Sequence, residues 1–199
     1  MKEYSIPMAL VDFIPVVLYI LANCIILKDL KNKKKSVLYI LYPIGVFLVF
    51  AAGALKAMYK LLYAAGVGDF EWMSNQFFSN QSFGFLLAGI GLLVYVCSSK
   101  PKKNKVNGFI PVMGLVGLMV AGLGLIDGSF CALCVRQKKK GTMVLFILSF
   151  VFCMMMGYLS SRSFASASMN WIAQGINTFA QLFLFVGCRE LEKAGLADL

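Results

Sequence analysis

Apolar residues in this chain gather into six blocks, near residues 8–27, 37–65, 82–97, 109–126, 142–159 and 169–186, with polar or basic stretches between them. Each is close to the ~20 residues with which a helix rising ~1.5 Å per residue crosses a ~30 Å hydrocarbon layer. In lipid every backbone N–H and C=O must be satisfied without water. That leaves helices or closed barrels, and these blocks lack the alternation of a barrel strand. The predicted fold is all-α, a polytopic membrane protein with six transmembrane helices. Composition agrees: the chain is 60% hydrophobic and 14% charged, against about 45–50% apolar residues in a soluble domain. The expected localisation is the cell membrane, with multiple passes. Lys2 before the first block imitates a signal peptide, but the apolar run is longer than a usual h-region and no small-x-small cleavage site follows it. Asn23 is likewise too bulky before Cys24 for a lipoprotein cleavage site, so the first block reads as a retained helix.

The two halves of the chain repeat each other. Phe13-Ile14-Pro15-Val16 opens the first and Phe109-Ile110-Pro111-Val112 the second. Each leads through an apolar block to a lysine run (33–35, then 138–140) and two further blocks, the last ending at Cys97 or Cys188. A single integral membrane domain over residues 1–199 is expected, with three-helix repeats at 8–98 and 107–190. Duplicating an odd number of crossings turns the second copy upside down, so the expected arrangement is a 3+3 inverted repeat, a plan by which transporters enclose a site near mid-membrane. Pro15 and Pro111 occupy matching places, and a proline within a helix frees a backbone carbonyl. In a first turn it costs little, a description that fits Pro111 at least as well, whereas Pro15 lies deeper.

Charge along the sequence does not orient the bundle. Six alternating crossings place 10 of the 19 Lys and Arg on one face and 9 on the other, so the positive-inside rule barely discriminates. A fourth block that dipped in and returned, around residues 114–128, would satisfy the rule better, but it is long enough to cross and is the counterpart of the first helix. The stretch 68–80 carries Asp69 and Glu71 and no basic residue, which places it outside. Small residues predict close helix packing: Gly114, Gly117, Ala121, Gly124 and Gly128 in the fourth block, Gly84, Ala88 and Gly91 in the third, Gly53 and Ala57 in the second.

Polar side chains inside the blocks mark the candidate binding site. Gln174, Asn177, Thr178 and Gln181 recur three and four apart, sharing one face of the last helix, which should turn into the bundle. Asn75, Gln76, Asn80 and Gln81 form an amide-rich stretch before the third block, beside Trp72. Asp12 lies about one turn into the first block, and an intramembrane ionisable group is expensive enough to be a functional suspect. Lys56, Tyr59, Lys60 and Tyr63 share a face near the end of the second block. The expected substrate-binding set is Asp12, Lys56, Tyr59, Lys60, Asn75, Asn80, Gln81, Gln174, Asn177 and Gln181, with amides for polar cargo and lysines for a carboxylate or phosphate. Simpler roles compete. Amides glue helices at about 0.6 kcal/mol each, lysines near a helix end snorkel or meet anionic headgroups, Asp12 can sit among headgroups, and Trp72 and Trp171 suit an aromatic belt.

The chain has no histidine, which excludes Ser-His-Asp and Cys-His centres and histidine-ligated metals. Its acidic residues are scattered, so no carboxylate dyad or metal cage is predicted, and no Walker-type loop is present. No catalytic residue, metal or cofactor is expected. Cys131 and Cys134 have the CxxC spacing of thiol exchange, but no second pair completes a zinc site; a membrane thiol oxidoreductase is the enzymatic alternative. The expected function is a small transporter or channel-like protein binding a polar or anionic organic solute between two three-helix repeats. The alternative is a non-transporting sensor or subunit that binds a ligand or another membrane protein. Expected partners are membrane lipid, including anionic headgroups, and a small solute, with no nucleic acid and with oligomerisation open.

Overall fold

A computed structural model describes residues 4–30, 40–98, 115–160 and 167–195. Among them every regular element is helical: α1 (Ile6–Val11), α2 (Phe13–Leu30), α3 (Leu41–Ala64), α4 (Glu71–Asn75), α5 (Phe77–Ser98), α6 (Leu115–Arg136), α7 (Lys140–Ser160) and α8 (Ala167–Lys193). These make six spans long and apolar enough to cross a membrane: Ile6–Asp29, Leu41–Ala64, Glu71–Cys97, Gly117–Arg136, Lys140–Leu159 and Ala167–Lys193. The chain is a multi-pass membrane protein.

The first span is two helices in series. Ser5 caps α1, its Oγ accepting the Met8 N–H at 3.4 Å, and the helix breaks at Asp12. Pro15 explains the break, because it offers no N–H to the Val11 carbonyl and its ring crowds that carbonyl. Its partner in the repeat, Pro111, lies outside the described residues. The fourth span continues to Arg136, past the expected end at Ile126, and residues 109–114 of the expected block lie outside the described residues. Asp127 does not end the helix, since Phe130, Leu133 and Cys134 beyond it are buried to 1% exposure or less and draw the next turns into the bundle.

Contacts along the helices fix their directions. A Cβ on Gly122 would lie 2.5 Å from Leu86 N, one on Gly89 would lie 2.8 Å from Leu125 Cβ, and farther along Arg136 Nη2 donates to the Val96 carbonyl at 2.7 Å. Rising numbers meet rising numbers, so α5 and α6 are parallel. The first span and α8 are also parallel: Gln174 meets Met8, while Tyr19 lies within electrostatic reach of Cys188. By contrast α3 runs against α2, with Asp12 beside Lys60 and Asn23 beside Tyr42, and against α5, with Gly84 beside Val49 and Gly91 beside Tyr42. Likewise α7 opposes α6, through Phe130 with Phe146 and Cys131 with Met143, and opposes α8, through Phe146 with Gly187 and Phe152 with Phe179.

Each triplet therefore runs up, down, up. The inverted 3+3 relation expected from the sequence is not confirmed: among the described residues the second triplet runs in the same sense as the first. The expectation assumed that α5 ends on the face where α6 begins, and here those ends lie at opposite ends of the bundle. The residues that join them, 99–114, lie outside the described set. The neighbours correspond as well. The first span packs on α8 as α6 packs on α5, and α3 packs on α5 as α7 packs on α8.

One end of the bundle gathers Lys28, Arg136, the lysines at 138–140, Arg189 and Lys193; this is the basic end. Its interior is densely filled. Phe130 and Phe146 stack with centroids 4.7 Å apart, surrounded by buried Leu133, Leu184, Cys188 and Leu191. The Tyr42 hydroxyl donates to Asn23 Oδ1 at 2.7 Å, and Asn23 Nδ2 donates to the Tyr19 carbonyl at 2.8 Å. Small residues let helices approach at Gly45, Gly84, Gly91 and Gly122, where an added Cβ would overlap a neighbour's backbone. Of the expected α6 stripe, Gly124 has one neighbour at 3.8 Å and Gly128 has none within 4 Å, the close approach being at Gly122, while Gly114 lies outside the described residues.

Candidate functional site: a six-span polar cavity

At the end away from the basic residues the helices part around a cavity of about 300 Å³, to which all six spans contribute. Its size suits a small organic molecule. Of the residues expected to bind substrate, Asp12, Lys56, Lys60, Gln81, Gln174, Asn177 and Gln181 line it. The other three do not. Tyr59 is 2% exposed and turns to the flank, donating its hydroxyl to Asp69 Oδ1 at 2.9 Å and meeting Tyr4 edge-on. Asn80 lies off the Phe77, Gln81 and Phe85 face of α5 and donates to Gln76 Oε1 at 3.0 Å. Asn75 ends α4, outside the lining.

The two lysines have different environments. Lys60 Nζ pairs with Asp12 Oδ2 at 2.5 Å, and both side chains are largely buried. The break at Asp12 sets this pair, presenting the carboxylate where α1 hands over to α2. Lys56, one turn earlier on α3, has no carboxylate partner among the described residues. Its ammonium lies 3.7 Å from the Phe77 ring centroid and 5.5 Å from that of Phe78. A ring face is a modest partner for a cation, about 0.5–1 kcal/mol where exposed and ~2 or more where desolvated, so the cavity keeps a positive charge that an anion can meet.

Across from the lysines stands the polar face of α8. Gln174 Nε2 donates at 3.0 Å to the Met8 carbonyl, which its own helical donor, Asp12 N–H, reaches only at 3.3 Å. This amide is therefore partly glue, tying α8 to the broken span. The Oε1 atoms of Gln174 and Gln181 have no hydrogen-bond partner, leaving both acceptors for a donor brought by a ligand. Sequence reasoning missed Asn170, which lines the cavity and is 4% exposed. The signal was present, since Asn170 stands four residues before Gln174 on the same face. The apolar walls, among them Phe85, Met119, Leu123 and Cys153, had no signal to separate them from lipid-facing residues.

The CxxC pair lies elsewhere. Cys131 and Cys134 sit on consecutive turns of α6 with free thiols, and Cys134 is fully buried. Among the described residues no group of three His, Cys, Asp or Glu could hold a metal ion. No family model, no curated protein and no solved structure matches this chain.

Proposed function

We propose that the protein is a small membrane transporter whose cavity takes a small organic anion, with Lys56 as its counter-ion and the α8 amides as its hydrogen-bonding wall. The observation that carries this reading is the asymmetry of the two lysines: Asp12 pairs directly with Lys60, while Lys56 faces the same cavity against aromatic rings, with Asp12 and Lys60 in electrostatic reach but no carboxylate in direct contact. Two three-helix units of the same sense, related about an axis along the membrane normal, are one of the repeat plans of transporters.

The helix directions also supply an orientation. Among the described residues, seven Lys and Arg fall at the basic end: Lys28, Arg136, Lys138, Lys139, Lys140, Arg189 and Lys193. Among the described residues, Lys56 and Lys60 belong to the other end. By the positive-inside rule the basic end faces the cytoplasm, beside anionic headgroups, and the cavity opens outward.

The test is a thermal-shift screen of the purified protein with monocarboxylates and alkyl phosphates against the corresponding neutral amides and alcohols. A binding anion at 100 times its dissociation constant adds about 2.7 kcal/mol of stability. That gain should vanish in Lys56→Gln. Equal stabilisation by a neutral isostere, or an anion effect that survives in Lys56→Gln, would sink the proposal.

A further inference from the structure

Asp127 lies midway along the span Gly117–Arg136, is 5% exposed, and leaves Oδ1 without a hydrogen-bond partner. It stands one helical turn beyond Leu123, the last α6 residue lining the cavity. From there to the basic end the interior is closed by Phe130, Leu133, Phe146, Leu184 and Cys188. The carboxyl thus sits between the cavity and the layer that shuts it off from the cytoplasmic side. On its own helix the titratable neighbour is Cys131; from α7 it faces Cys153, itself a cavity residue, and from α8 Cys188, with Tyr19 of α2 beyond those two thiols. The opposing part of α5, residues 85–93, has no titratable side chain. Arg136 is engaged by the Val96 carbonyl.

A carboxylate at this depth without a partner is costly. Thiols and hydrocarbon supply none of the six or so oxygens that a hard metal cation needs. We infer that Asp127 is the site of a coupling proton, bound while the layer toward the basic end is closed and released when that layer takes in water. This rests on reading the cavity as a transport site, but its test needs no solute.

The test uses the full chain in lipid nanodiscs, treated with dicyclohexylcarbodiimide, which modifies protonated carboxyls in apolar surroundings. Peptide mass spectrometry should find the adduct on Asp127, falling by about tenfold per pH unit above its midpoint. In a variant keeping Cys188 as the one cysteine, maleimide labelling of Cys188 should rise over the same pH range, and Asp127→Asn should abolish that rise beyond the ordinary thiol response. An unmodified Asp127, a pH-independent adduct, or Cys188 labelling identical with and without Asp127→Asn would each overturn the inference. Failure here leaves the Lys56 anion site standing, and loss of the Lys56 effect leaves these readouts intact.

Discussion

Removing one partner of the Asp12–Lys60 pair should cost more than removing both. At 2.5 Å, with side chains 15% and 11% exposed, the gross attraction is about 7 kcal/mol at an effective dielectric constant of ~20, most of it offset by desolvation of the two ions. Asp12→Ala leaves a buried ammonium beside a second cation, Lys56, and should cost about 3–5 kcal/mol, the range for breaking a buried pair. Lys60→Met leaves the carboxylate and should cost a similar amount. The double variant strands no charge and should lie within about 1 kcal/mol of wild type, because apolar replacement of a buried pair is often neutral. Thermal unfolding followed by intrinsic tryptophan fluorescence measures this, at about 2–4 °C per kcal/mol for a chain of this size. Single variants shifted by less than ~0.5 kcal/mol and adding without coupling would show that water screens the pair, and the distinction between Lys60 and Lys56 would fall with it.

Gly122→Ala should destabilise by about 1–3 kcal/mol, since its Cβ would meet Leu86 N at 2.5 Å; Gly128→Ala, with nothing within 4 Å, should stabilise by a few tenths of a kcal/mol through helix propensity. The same unfolding assay reads both signs. Tyr42→Phe strands the Asn23 Oδ1 that Tyr42 serves at 2.7 Å, and a loss of about 1–3 kcal/mol is expected. In intact cells and a cysteine-free background, Val67→Cys should react with an impermeant maleimide, whereas Lys139→Cys should react only after permeabilisation; both sites are exposed. The reverse pattern would invert the orientation.

Six spans were legible because a ~20-residue apolar block has few other uses. The polar face of α8 was legible because its amides recur at helical spacing. Tyr59 and Asn80 stand off the cavity lining for a geometric reason: a face shared over one turn is about 100° wide, and a side chain at its edge can turn to a neighbour, as Tyr59 does to Asp69. Asp127 was overlooked because the glycines around it suggested only packing. The sense of the second triplet was not legible. Periodicity shows where helices begin and end but not which end meets which, and the ten-against-nine charge balance came from an alternation that the contacts between α5 and α6 do not support.

A distance between spin labels on Cys97, at the exposed end of α5, and on Val135→Cys, 64% exposed on α6, tests the direction of the second triplet with the other cysteines replaced. Parallel helices place both labels at the basic end, within about 20 Å, the ~8–10 Å between packed axes plus the reach of the labels. An inverted second triplet would separate them by roughly a helix length, ~33 Å, and a distribution centred there would contradict both the same-sense architecture and the outward-facing cavity built on it.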